Sequence, residues 1–257
     1  MNTLKEKVDA LKSMKSYPKQ LFFSGNTELL DKTKISIIGS RKPSKYSRSL
    51  THQLATSFSR NGVCIVSGGA MGIDAIAHKA AGESNTIAVL PCGIDVKYPV
   101  INKNLLTAIE KDGLLLSQFN PNFRATAWSF VVRNELVVAL GDVLVVGEAE
   151  LNSGSMRSIE FALKMDKEIF VFPHRIGESK ATNELLEQGK AKAIYDIDEF
   201  VSRFVSVEIP EVKEDDFLEF CKSNPTYDEA LKKFPSRVFE AELSGVIRIE
   251  NGKVLYN

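Results

Sequence analysis

At 257 residues, with 44% apolar and 26% charged side chains, the chain is sized for one large core, with or without a small appended domain. No apolar run approaches the roughly 20 residues of a membrane span, and the charged start MNTLKEKVDALKSMKS lacks the apolar stretch of a secretion signal, so a cytoplasmic protein with no membrane partner is expected. Equal numbers of basic and acidic residues give zero net charge, which argues against a protein that coats nucleic acid non-specifically.

In chain order, continuous apolar runs predict strands at Lys34–Ile38, Val63–Val66, Thr86–Leu90, Gly113–Leu116, Val143–Gly147 and Ile169–Phe172. Unbroken runs of this kind suit parallel strands covered on both faces. Between them, helical patterns occupy Tyr46–Asn61, Gly72–Gly82, Asn102–Asp112, Trp128–Leu140 and Ser155–Asp166. The alternation predicts an α/β fold with a Rossmann-like, doubly wound, mostly parallel sheet. Ligands of such sheets sit beyond the carboxyl ends of the strands.

The domain plan expected from this pattern is a short N-terminal extension over 1–30, a Rossmann-like domain over 31–205, an acidic linker over 206–225 and a small domain over 226–257. The stretch Val207–Glu229 carries eight acidic residues against two lysines. Beyond it, Tyr227–Lys233 and Ser236–Ser244 read as helices. Val246–Glu250 and Lys253–Tyr256 flank Asn251-Gly252, a hairpin signal, and together these predict a winged-helix-like unit. Cys64, Cys92 and Cys221 form no CxxC pair and have no histidine at ligand spacing, so buried thiols, no metal and no cofactor are expected.

Two glycine turns carry the functional signal. Ile38-Gly39-Ser40-Arg41 and Ser67-Gly68-Gly69-Ala70-Met71-Gly72-Ile73-Asp74 each follow a predicted strand and open a helix. Free backbone N–H groups and the positive end of a helix dipole make such turns phosphate sites. From Lys32 to Ile73 the chain has seven Lys/Arg, Lys42, Lys45 and Arg48 among them, and no Asp or Glu. Neither G-x-G-x-x-G nor GK[ST] is present, which excludes the dinucleotide fingerprint and the P-loop. Arg41 is suited to fork onto a phosphate. Asp74 is either a partner of the helix dipole or a group that orients Arg41 or a loop amide. His78, one turn on, is expected in a local pair.

The segment Phe119–Phe130 gathers three Phe, the one Trp and Arg124. Aromatics beside arginine hold single strands by stacking on bases, and they also anchor helices to sheets. For Trp128 and Phe130 core packing is the favoured reading, with base stacking the alternative. Arg133-Asn134 and the turn Ser153-Gly154-Ser155 fall at the same sheet edge, and no nucleophilic or acid–base set emerges.

These blocks, GSRKPSKY, SGGAMGIDAIAH, GIDVKYP, FVVRNE, EAELNSGS and NELLEQGKA, resemble the DNA-processing protein A (DprA/Smf) family from about Lys19 onward. The resemblance implies a non-catalytic homodimer that binds single-stranded DNA, protects it and helps load RecA recombinase during natural transformation. It also implies that the tail from Asp216 is the family's winged-helix-like domain, and that the SAM-like domain of many members is absent. Carried over by position, Ser40 and Arg41 hold a phosphate, Ser67, Gly68, Gly69 and Gly72 give backbone contacts, and Arg133 and Asn134 fall at the same pocket; the turn and charge pattern adds Gly39, Lys42, Lys45 and Ser155 to the expected strand site. Three departures stand out: Ser47 for the usual Gly, Glu135 for an Arg in the RNR block, and His174 for a Gly. Glu135 is expected to weaken contact between its helix and DNA.

A rival enzyme reading is a nucleotide phosphoribohydrolase of the lysine-decarboxylase-like type. It needs a PGGxGTxxE block, and the corresponding stretch here is EAELNSGSMRSIE. A duplex-reading role for the tail is disfavoured because its presumed recognition helix pairs Arg237 with Glu240 and Glu242.

Overall fold

The computed structural model describes residues 2–205, 216–235, 237–243, 246–250 and 252–256, in two units, Met1–Val205 and Ser206–Asn257. In the first unit the strands are β1 (Asn2–Thr3), β2 (Phe22–Gly25), β3 (Lys34–Ile38), β4 (Cys64–Ser67), β5 (Thr86–Val89), β6 (Leu114–Ser117), β7 (Val143–Val146), β8 (Ile169–Val171) and β9 (Lys192–Ala193). They form one sheet in the order β1-β2-β6-β5-β4-β3-β7-β8-β9. From β6 to β9 every pairing is parallel, whereas β2 joins β6, and β1 joins β2, antiparallel. The strand order therefore reverses between β3 and β7, and such a switch point opens a crevice above the strand ends.

Seven helices flank the sheet: α1 (Lys45–Arg60), α2 (Ile73–Ala81), α3 (Lys103–Asp112), α4 (Ala127–Leu140), α5 (Ser155–Lys164), α6 (Lys180–Glu187) and α7 (Ile197–Ser202). Alternate residues of a strand point to opposite faces, and β3 shows it. Ile35 and Ile37 pack with Leu54, Phe58, Ile73 and Phe200 from α1, α2 and α7. Ile38 packs on the other face with Leu136, Leu140 and Ile159 from α4 and α5. Ser36 Oγ, on that second face, donates to the Val137 carbonyl at 2.6 Å and ties α4 to the sheet. Cys64 is fully buried, and burial pushes its thiol up to about 12, so it behaves as a small apolar residue.

Two sequence expectations about chain organisation change. Residues 2–30 are no mere extension: β2 is a sheet strand, and Leu11, Leu21 and Leu29 are buried in the main core. The apolar run Leu21-Phe22-Phe23 is too short to announce a strand by periodicity. The linker expected over 206–225 lies partly outside the described residues, at 206–215, but Asp216–Lys222 is a helix, α8. Phe217 and Cys221, four residues apart, fill one buried stripe, which the acidic composition of the segment disguised.

The second unit continues with α9 (Tyr227–Lys233), α10 (Arg237–Leu243) and an antiparallel hairpin of β10 (Ile247–Glu250) and β11 (Lys253–Tyr256). Phe217, Cys221, Ala230, Val238, Ile247 and Val254 form its core. Thr226 caps α9 in a reciprocal capping box with Glu229. Of the expected hairpin turn, Asn251 lies outside the described residues, while Gly252 sits at φ +72°. Ser236 and Ser244, the ends of one expected helix, also lie outside them.

Candidate functional site

The crevice at the switch point is a cleft of about 690 Å³. One lip is Ile38–Arg41, following β3; the other is Glu150 with Ser153, Gly154, Ser155 and Arg157, following β7. Ala127, Phe130, Val131, Arg133 and Asn134 of α4 form the wall, and Ala70 and Asp74 close the back. Gly39, Ser40, Arg41, Arg133, Asn134, Ser155 and Phe130 are thus brought together as expected site residues. Lys42 and Lys45 are exposed on the loop and helix start beside the first lip.

The two glycine turns, 30 residues apart, are a single packed unit. Ile73 N donates to the Ser40 carbonyl at 3.1 Å. Gly72 has φ +79°, and a Cβ there would run into the Ser40 carbonyl and the Arg41 backbone. Only glycine accommodates both the left-handed conformation and that approach. At Gly39 a Cβ would lie 2.7 Å from Ile73 Cγ1 and 3.0 Å from the Glu148 carbonyl, so β3 leaves the sheet under a tight roof. Ser40 N donates to that same carbonyl at 2.8 Å, and Ser40 Oγ accepts from Lys42 N at 3.1 Å.

Behind the turns lie two buried opposite charges, Arg133 and Asp74. Arg133 is 3% exposed; its Nη1 donates to the Gly68 carbonyl and, at 3.1 Å, to the Val89 carbonyl. Asp74 Oδ2 accepts from Ala70 N at 3.3 Å. A Cβ on Gly68 would collide with the Arg133 guanidinium and stand 2.8 Å from Asp74 Oδ2. Burial pushes the Asp74 carboxyl up, while Arg133 and the Ala70 and Gly68 amides pull it back. Asp74 therefore orients loop amides, one of the two roles considered for it. Ser67 is buried too, its hydroxyl donating to the Ile37 carbonyl at 2.6 Å.

His78 pairs with Thr86 rather than Asp74. The Thr86 hydroxyl donates to the Ile65 carbonyl at 2.8 Å, so it accepts from His78 Nδ1 at 2.7 Å. Burial, aided by nearby Arg133, pulls the imidazole down to about 3. It is a neutral structural residue.

One aromatic ring links this buried layer to the surface. The Arg41 guanidinium stands 5.3 Å from the Phe130 centroid, and that of Arg133 stands 5.7 Å from it. Such contacts fix a guanidinium at about 0.5–1 kcal/mol in exposed positions. Core packing, favoured for Trp128, does not hold. Trp128 is 63% exposed and touches Phe119 edge-on at 5.9 Å. It projects from the first turn of α4, where the next residues, not this one, face the sheet.

The three departures from the family pattern resolve differently. Ser47 is buried at the start of α1, and its hydroxyl donates to Glu148 Oε2 at 2.7 Å. The same oxygen accepts from Ser44 N at 2.9 Å, while Ser44 Oγ caps the helix by accepting from Ser47 N. His174 Nε2 lies 3.1 Å from the Gly147 carbonyl, with its ring edge-on to Tyr46 at 5.5 Å. Glu135 corrects the expectation placed on it. Its Oε1 accepts from Lys15 N at 3.2 Å, on the side of α4 away from the cleft, because each helical step turns about 100°.

Burial pushes the Glu148 carboxyl up, but the Ser44 amide and the Ser47 and Ser44 hydroxyls outweigh it and hold it below its ordinary value of 4.5. A depressed carboxylate stabilises the fold above its unfolded value, and that contribution disappears as pH falls through the folded value. The α1 start should therefore stay anchored at pH 5 to 7 and loosen only in solution more acid than the ordinary carboxylate value. Amide chemical shifts of Ser44 and Ser47 followed through an acid titration check this; movement at neutral pH would contradict it.

Arg157 and Glu150 were not expected in the site, whereas Ser153 belongs to the turn expected at this edge. Arg157 Nη1 pairs with Glu160 at 2.9 Å, and Ser153 Oγ is buried without a partner. Only proximity to Ser155 in sequence hinted at Arg157 and Glu150.

Residues 5–205 match the family model described as DNA recombination-mediator protein A. The DNA processing protein DprA of Streptococcus pneumoniae is 36% identical over 176 residues, 67% of this chain and 62% of the relative. That of Bacillus subtilis is 34% identical over 190 residues, 72% of this chain and 64% of the relative. The chain thus spans less than two thirds of the length of either. Among solved structures, DNA processing protein A from Helicobacter pylori, described for a unique single-stranded DNA binding mode, superposes with a TM-score of 0.77. It is 43% identical and covers 79% of this chain and 94% of its own. The X-ray structure from Streptococcus pneumoniae gives a TM-score of 0.73 at 32% identity, covering 79% of this chain and 73% of its own.

Proposed function

The chain belongs to the DNA recombination-mediator protein A family, and from that premise and the cleft we propose a single-stranded-DNA binder that protects incoming strands and delivers them to RecA recombinase, by binding rather than catalysis. The observation that carries the reading is Arg41 at the mouth of the switch-point cleft, poised over the Phe130 ring. A guanidinium beside a half-buried aromatic ring offers a fork to a phosphate and an apolar edge to an unpaired base. A duplex keeps its bases stacked inside and offers no base face to Phe130.

In this reading the Ser40 hydroxyl and Arg41 grip a phosphate at the turns shaped by Gly39, Gly69 and Gly72, and Lys42 and Lys45 extend the track. Asn134 and Ser155 line the strand's passage, Phe130 takes a base, and exposed Trp128 offers a second stacking face. Ser67, Gly68 and Arg133 act from behind, since the Ser67 hydroxyl, the Gly68 carbonyl and Arg133 Nη1 are taken up by the fold. Self-association into a homodimer, RecA contact, a role in natural transformation and a cytoplasmic location are proposed from family membership. The second unit is read as winged-helix-like and as a protein-contact module.

Binding to single-stranded and double-stranded oligonucleotides across a salt series tests the reading. The single strand should bind more tightly, and log K should fall linearly with log salt at about 0.7 per phosphate engaged. A flat salt response, or preference for the duplex, would overturn it.

A further inference from the structure

The apolar surface beyond Phe130 has no role in the fold or in the grip just described. Tyr98, 42% exposed, sets its ring edge-on against Phe130, centroids 5.9 Å apart and planes at 66°. Val100 and Ile101 follow at 76% and 75% exposure. Exposed side chains of this size gain nothing for a folded chain, and a run of them beside a polar lip marks a contact surface.

Two anchors make this ridge rigid. Asn102 Nδ2 donates to the Gly69 and Ala70 carbonyls, both at 3.0 Å, so the end of the ridge is tied to the second glycine turn. Lys97 Nζ, on its other side, donates to the Ile94 carbonyl at 3.0 Å and to Glu110 at 2.9 Å. The nearest acid on the loop, Asp95, is engaged by Asn122 N at 3.0 Å, and Lys103 is exposed just past Ile101. The surface is apolar, with Lys103 exposed at one end, and continuous through Phe130 with the Arg41 guanidinium.

We propose that Tyr98, Val100 and Ile101 form a second base platform, on which the strand continues after leaving the Arg41 cleft. The proposal rests on the single-strand reading and deepens it, because it lengthens the bound segment and names residues outside the cleft. The occupant fits the chemistry. Bases stack on an aromatic face and slide over aliphatic surface without regard to sequence, while the backbone keeps to the side of Arg41 and Lys103. The rigid ties to the glycine turn mean that little is lost in ordering the ridge on binding.

The test measures affinity for labelled deoxythymidine oligomers of increasing length, with 2-aminopurine quenching as a stacking signal, for four proteins: wild type, Tyr98→Phe, Tyr98→Ala and the double variant Val100→Ser/Ile101→Ser. Wild type and Tyr98→Phe should keep gaining affinity with length beyond the point at which Tyr98→Ala and the double variant level off. Long oligomers should bind both of these about fivefold or more weakly, with the shortest ones unaffected. The double variant alters only exposed side chains, so its fold is secure. Equal affinity of all four proteins at every length overturns the ridge and leaves the single-strand reading intact. A loss in Tyr98→Ala that is the same at every length also overturns it, since Tyr98 would then be acting through Phe130. Failure of the wild-type protein to bind any oligomer brings down the underlying reading instead.

Discussion

Replacing Arg41 by alanine is expected to weaken single-strand binding by about 10- to 100-fold and to leave the melting temperature unchanged. A charge-assisted hydrogen bond is worth about 1.5–3 kcal/mol, and each 1.4 kcal/mol is tenfold in affinity. The guanidinium is exposed, and its one ring contact, with Phe130 at 5.3 Å, adds little to stability. Removing it also relieves the like charge that Arg41 presses on Arg133, so the fold has no reason to suffer. Arg41→Lys should keep the salt dependence but recover only part of the affinity, because an ammonium lacks the planar fork. Titration of a labelled oligonucleotide, with melting followed by circular dichroism, separates the two effects. Unchanged affinity in the folded Arg41→Ala protein would remove Arg41 from the site.

What was legible beforehand follows a physical pattern. The six central strands are short runs dominated by β-branched, leucine and small residues, such as Lys34–Ile38 and Val143–Val146, as suits a strand covered on both faces. The glycine turns were legible for a related reason, since close backbone approach permits only glycine. What stayed hidden was direction and long-range contact. Arg133, Asn134 and Glu135 are neighbours in sequence, yet one is buried under Gly68, one lines the cleft and one bonds Lys15 on the far side. Nothing in a residue's identity tells which way its helix turns it. The contact of Gly72 with Ser40 was hidden for another reason: each turn was complete as a local motif. Within the expected 206–225 linker, charge obscured the Phe217–Cys221 stripe of the helix Asp216–Lys222.

The placement of Arg133 leads to the second large effect. Carried over by position it is a DNA contact, but its Nη1 is committed to the Gly68 and Val89 carbonyls and its charge to Asp74. Arg133→Met keeps the volume and removes the donors and the charge. It leaves Asp74 buried without its counter-charge and a turn carbonyl without its donor. Leaving a buried polar group unsatisfied in this way costs about 1–3 kcal/mol, which corresponds to a drop in Tm of about 2–12 °C for a unit of this size. The double variant Arg133→Met/Asp74→Asn should be less destabilised than the sum of its single changes, since neither charge is then stranded. Strand affinity should fall in both variants because the Gly68 turn loses the clamp that aims its amides. Binding should weaken in proportion to loosening of the turn, read by hydrogen exchange at Gly69 and Ala70. An Arg133→Met protein with the wild-type Tm and lost binding would reverse the assignment, making Arg133 a direct contact. The buried layer would then be a store of charge for the ligand rather than a support for the turn.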